Sequence, residues 1–84
     1  MDLSGAALTD HALQQMLKRQ VSENEVRQVL AQPEDVQAVR VGRVVAQAMV
    51  EQYLVRVFVD IDRMPPEIVT AYRTSQIAKH RSRP

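Results

Sequence analysis

The chain has 84 residues, 45% of them hydrophobic and 25% charged, with a formal net charge of +1 and no cysteine. That size bounds it to one small domain (1–84) with a modest core, and that composition to a globular rather than a disordered chain. Absence of cysteine excludes disulfides and thiolate metal sites, and no apolar run nears the roughly 20 residues of a membrane-spanning helix, so no membrane association is expected.

The opening Met1-Asp2-Leu3-Ser4-Gly5 has neither the basic region nor the apolar core of a signal peptide, so a cytoplasmic protein is the expectation. The near-neutral total conceals an asymmetry. Residues 1–39 hold three basic side chains against six acidic ones, whereas residues 40–84 hold eight against four, with no acid after Glu67. A basic half of this kind can attract phosphate or an acidic partner.

Residues 1–7 read as a loose lead-in. Thr9 is placed to N-cap a first helix, with Leu8 stapling onto Leu13 and an apolar stripe of Ala12, Leu13, Met16 and Leu17. That helix should end near Arg19-Gln20. The run Val21-Ser22-Glu23-Asn24-Glu25-Val26 predicts a second helix: Ser22 caps it, Glu25 completes a capping box, and Val21 staples onto Val26. Val26, Val29 and Leu30 supply its buried face, and Pro33 stops it.

From Val36 the apolar period changes from helical to alternating. Val36–Val41 is a first strand and a sheet edge, Gly42 a turn with positive φ, and Arg43–Val50 a second strand. Val44, Ala46, Ala48 and Val50 should face the core, with Arg43, Val45, Gln47 and Met49 facing out. Glu51-Gln52 then leads into the central strand Tyr53–Asp60, whose Tyr53, Val55, Val57 and Val59 point one way and Leu54, Arg56, Phe58 and Asp60 the other. The prolines of Asp62-Arg63-Met64-Pro65-Pro66 require a loop. Glu67–Arg73 is a fourth strand, with Ile68, Thr70 and Tyr72 on one face and Val69 and Ala71 on the other. Thr74 or Ser75 caps a short helical turn through Lys79, and residues 81–84 fray.

The expected fold is therefore α+β: two N-terminal helices on one face of a four-stranded antiparallel β-meander, with a short C-terminal helical turn. The helices cover Tyr53, Val55, Val57 and Val59, with Val44, Ala46 and Ala48 on one side and Val69 and Ala71 on the other. On this facing Val57→Asp should unfold the domain and Leu54→Asp should cost much less. The edge strand, with Arg40 as its charged guard, is open to a second copy, so a dimer or a monomer–dimer mixture is expected.

The uncovered face should then carry Arg43, Gln47, Arg56, Thr70 and Tyr72. Arginine makes bidentate hydrogen bonds to phosphate, and Tyr and Thr hydroxyls can donate, accept or stack against a base. The plainer reading has Arg56 ion-paired with Asp60, Glu67 or Glu51 on a solvated sheet. The basic tail Lys79-His80-Arg81-Ser82-Arg83 adds Lys79 to a surface offered to nucleic acid, or is merely solvated. His11 lies in a helix first turn and suits general acid or base work near neutral pH, or is a surface histidine without a role. Neither His11 nor His80 has a partner at metal-ligand spacing, so no metal and no cofactor are expected. The chain holds no Gly-rich phosphate loop, no G-x-S-x-G and no nucleophilic cysteine.

Taken in order, Leu8-Thr9-Asp10-His11-Ala12, Met16, Lys18-Arg19, Val21-Ser22-Glu23-Asn24-Glu25-Val26, Leu30-Ala31-Gln32-Pro33-Glu34, Gly42-Arg43, Leu54-Val55-Arg56-Val57 and Val69-Thr70-Ala71-Tyr72-Arg73-Thr74 carry a family resemblance. The chain resembles the small bacterial DUF4258 proteins, allied to the BrnT and RelE type of ribonuclease toxin. The likeness runs from Thr9 to about Lys79. Where other members have Gly after the arginine that ends the first helix, this chain has Gln20. The resemblance implies a metal-independent endoribonuclease that uses a base, an acid and cations on an RNA phosphate. It implies His11, Arg19, Arg56, Tyr72 and Arg73 as catalytic groups; the uncovered face adds Arg43, Gln47 and Thr70, and the basic tail Lys79, as residues expected to bind RNA. RNA and an antitoxin-like protein are the implied partners. The alternative is a non-catalytic protein-interaction module.

Overall fold

The computed structural model describes residues 2–80, and the expected fraying of residues 81–84 lies outside them. The elements are β1 (Ala7–Leu8), α1 (Asp10–Lys18), α2 (Glu23–Ala31), β2 (Asp35–Arg40), β3 (Arg43–Val50), β4 (Tyr53–Asp60), β5 (Glu67–Thr74) and α3 (Ile77–His80). Their order in the sheet is β1-β5-β4-β3-β2. β2 to β5 form the antiparallel meander that short connections demand. β1 adds a fifth strand, parallel to β5, with Ala7 opposite Glu67 and Leu8 opposite Ile68.

The α+β class stands, but the four-strand count and the loose lead-in do not. A two-residue strand has no period to read in a sequence; backbone bonding makes it. Ala7 N–H donates to the Pro66 carbonyl at 2.7 Å, and Arg27 Nη1 reaches from α2 to the Ala6 carbonyl at 2.7 Å. Leu3 and Ala6 are buried in the core. The N-terminal segment is thus stitched to both β5 and α2.

Both helices begin as the sequence predicts. The Thr9 hydroxyl accepts from Ala12 N–H at 3.1 Å and donates to the Ile68 carbonyl at 3.3 Å, so the cap of α1 also ties it to β5. Ser22 and Glu25 form the full capping box of α2. Between the helices, Val21 N–H donates to the Met16 carbonyl and Gln20 N–H to the Leu17 carbonyl. This is the paired arrangement of a Schellman motif, and Gln20 sits at its left-handed position with φ of 58°. Glycine takes that conformation without a Cβ penalty and glutamine does not.

One face of the sheet lies under the helices, where Ala46, Val55, Val57, Val59 and Ala71 are fully buried with Val26 and Val29. The predicted stripe of α1 is too wide, however. Ala12 and Met16 are buried, while Leu13 and Leu17 are 41% and 71% exposed. A nine-residue helix seated on β5 turns only a narrow seam inward.

The facing of β5 also needs correction before Thr70. Phe58 pairs with Thr70 but Val59 with Ile68, so Val69 is an extra residue in a β-bulge. The bulge shifts the alternation by one. Ile68 is fully buried in the helix-side core, and Val69 is only half-buried. The opposite face is not open throughout either. Leu54, Val45 and Gln47 are buried there, beside the return of the chain into α3. The Gln47 side chain donates to the His80 carbonyl at 3.0 Å.

The expectation for Leu54→Asp is therefore revised. With both positions fully buried, Leu54→Asp and Val57→Asp should each cost several kcal/mol against a total of about 5–10 kcal/mol and abolish a cooperative melt. Gln20→Gly should act the other way. Relief of the left-handed strain, less the backbone freedom glycine loses, should raise the Tm by about 2–6 °C in thermal unfolding.

Candidate functional site

Alternation along β4 sends Val55, Val57 and Val59 under the helices, so Arg56 and Phe58 must stand on the other face. Register places Gln47 of β3 and Tyr72 of β5 directly beside Arg56, one on each side. Arg56 Nε donates to Gln47 Oε1 at 2.9 Å, and Arg56 Nη1 donates to the Tyr72 hydroxyl at 2.7 Å. The Gln47 amide is held from the other end by the His80 carbonyl. Arg56 is thereby oriented by neutral groups, and its pairing with Asp60, Glu67 or Glu51 does not occur among the described residues.

Tyr72 is the hub of the cluster. Its ring stacks on Phe58 at 6.1 Å between centroids, and the His80 ring meets it edge-on at 6.3 Å. Arg56 lies 5.8 Å from its centroid. Arg19, the residue that caps the end of α1, approaches at 5.9 Å and donates to Thr70 Oγ1 at 3.5 Å. Two guanidinium groups thus flank one aromatic ring, with Thr70 and His80 at its margins.

Carboxylates are the informative absence. Arg27 pairs with Glu23, Arg40 and Arg43 with Asp60, Arg63 with Asp62 and Glu67, and Arg73 with Glu25. Among the described residues Arg19 and Arg56 are the arginines with no acidic partner within 4.0 Å, and they are the two beside Tyr72.

Of the residues named from the sequence, the fold assembles Arg19, Arg56, Tyr72, Gln47 and Thr70. Arg43 shares the sheet face but is bound twice by Asp60, at 2.6 and 3.2 Å, and that bond raises its pKa while lowering that of Asp60. Arg73 turns to the helix side, where it meets Glu25 at 3.7 Å and lies over the Tyr53 ring. Lys79 is exposed on α3, and His11 is exposed on the first turn of α1, with no hydrogen bond, ion pair or ring contact to the cluster. His80 is the member that sequence reasoning left out. Nothing in its local pattern marks it, since it reaches Tyr72 only because α3 folds back over the sheet. No group of three His, Asp or Glu side chains among the described residues is placed to hold a metal ion, and no helix there is long and apolar enough to cross a membrane.

Burial, followed by the nearby positive charges of Arg56 and Lys79, holds the His80 pKa below the ordinary 6.5. An unfolded chain therefore takes up this proton before the folded one does. The contribution of His80 to stability is complete above 6.5 and is lost as the pH falls below it toward the folded value. In an NMR titration the His80 ring should show a midpoint below 6.5, and Arg56→Ala should move that midpoint upward; an unchanged midpoint would mean that Arg56 does not act on the ring.

Residues 8–73 match the model of a family described as a domain of unknown function, DUF4258. No curated protein and no solved structure matches the chain.

Proposed function

The chain belongs to the DUF4258 family, and from that premise and the geometry of the cluster we propose that it is a cytoplasmic, toxin-like RNA-binding protein that cleaves RNA without a metal ion. One observation carries the reading: Arg19 and Arg56 both approach the Tyr72 ring and have no carboxylate partner among the described residues. A flat aromatic ring between two uncompensated cations suits a nucleotide, whose base can stack while its phosphate meets guanidinium donors. An acidic antitoxin-like protein would find the same two cations available.

The cleavage is an internal transfer. The RNA 2′-oxygen attacks the adjacent phosphorus, the bond from phosphorus to the 5′-oxygen breaks, and a cyclic phosphate remains. A base must take the 2′ proton and an acid must protonate the leaving 5′-oxygen. His80 fits the base, because its ring meets Tyr72 edge-on and its burial favours the neutral form. Tyr72 accepts a hydrogen bond from Arg56, so its own hydroxyl hydrogen is free to be given to the leaving oxygen. Arg19 and Arg56 would hold the charge that gathers on the phosphoryl oxygens. The acid or base work expected of His11 passes to His80, since no hydrogen bond or ring contact joins His11 to the cluster.

The test is incubation with total RNA in EDTA, beside a salt titration of binding to a short single-stranded RNA. Cleavage should persist in EDTA and fall at least about 100-fold in His80→Ala, within the usual range for a lost acid or base. Arg19→Ala and Arg56→Ala should each weaken binding and flatten the logarithmic salt slope by roughly 0.7–1 unit. Arg43→Ala and Arg73→Ala should leave the slope unchanged, because Asp60 and Glu25 already neutralise them. RNA left intact and unbound at low salt would favour the interaction module instead.

A further inference from the structure

β2 is the free edge of the sheet, bonded to β3 on one side and to no strand among the described residues on the other. Such an edge presents a row of backbone donors and acceptors to any strand that can lie beside it. It is also apolar on the outside. Val36 is 43% exposed, Val39 48%, and Val41, just beyond the strand, 96%.

What this edge fits follows from its register. Asp35, Gln37 and Arg40 lie opposite Gln47, Val45 and Arg43, so all three share one face. Val36 and Ala38 lie opposite Ala46 and Val44 and share the helix face. Val39 is the extra residue where the register shifts between Ala38 and Arg40. Counted by ladder position, the strand is symmetric about Gln37: one step out are Val36 and Ala38, and two steps out are Asp35 and Arg40. Without the bulge Asp35 and Arg40 would fall on opposite faces and could not meet across a two-fold axis.

We propose that β2 is a homodimer interface, in which two copies of this chain pair β2 antiparallel about a two-fold axis through Gln37, with Asp35 of each copy opposite Arg40 of the other. Four of the five cross-strand pairs are then complementary, and the fifth sets Gln37 beside its own copy on the axis. Apolar Val36 meets apolar Ala38 twice, and an acid meets a base twice, as an isologous contact requires. Existing contacts leave room for this. Asp35 accepts one bond from Gln37, and Arg40 donates to the Val41 carbonyl and stands 3.9 Å from Asp60; a carboxylate and a guanidinium each have further sites. The two-fold axis runs normal to the sheet, so both copies turn their Tyr72 cluster to the same side.

The experiment is a charge exchange read by sedimentation equilibrium. Wild type should dimerise. Asp35→Lys alone and Arg40→Glu alone each set like charges opposite one another twice, and each should weaken association at least about tenfold. Mixed in equal amounts, the two variants should recover near wild-type affinity as a heterodimer. The introduced lysine of one copy then meets the introduced glutamate of the other, and the unchanged Arg40 meets the unchanged Asp35. Circular dichroism checks that each variant is folded. Hydrogen exchange supplies a second readout without mutation, since wild-type β2 amides should gain protection as protein concentration rises. A wild type that stays monomeric, single variants that dimerise as wild type does, or a mixture that stays monomeric would each overturn the proposal.

Discussion

Everything in this protein depends on the two-residue alternation of β4. Val55, Val57 and Val59 are buried in the core beneath the helices without residual exposure, and each such side chain contributes about 1.5–3 kcal/mol when fully withdrawn from water. A slip of one residue would send all three to the other face at once. That penalty fixes the strand, and with it the position of Arg56. A charged residue between buried valines is not a defect of the core but the consequence of a strand that is apolar on one side only. Its neighbours then decide what it does. Gln47 and Tyr72 arrive beside it by register, and both are neutral.

The distribution of carboxylates separates structural arginines from available ones. Asp60 takes up Arg43 and, more distantly, Arg40. Glu25, besides completing the capping box of α2, meets Arg73 from across the helix layer. Whatever these partly buried ion pairs add to stability, they change the surface by removing cations from it. What they leave is a local positive site at Tyr72 in a chain whose formal net charge is only +1. Net charge alone would have concealed it.

Two bulges shape the sheet in related ways. In β5 the extra Val69 lets Ile68 enter the core while Thr70 and Tyr72 stay with Arg56. In β2 the extra Val39 brings Arg40 back to the face of Asp35. Each is one residue long, and each changes which side chains share a face. A strict reading by twos fails at both places for the same reason, and in both the residues affected belong to the proposed cluster or the proposed interface.

The sequence by itself determined every element but β1, and most of their facing. Thr9, the Ser22–Glu25 capping box, Pro33, Gly42 and the alternation of β3 and β4 act within a few residues of the chain, and local forces of that range are written in local order. It also placed Gln47, Arg56, Thr70 and Tyr72 on one face, and family resemblance added Arg19. Tertiary structure decided the rest. It bonded β1 to β5, paired Arg43 and Arg73 with Asp60 and Glu25, buried Leu54, left Leu13 and Leu17 exposed, and brought His80 to Tyr72 while leaving His11 outside. Each of these outcomes depends on which distant residue arrives opposite, through backbone bonds, charge pairing or burial between elements, and no period or cap in the chain encodes that.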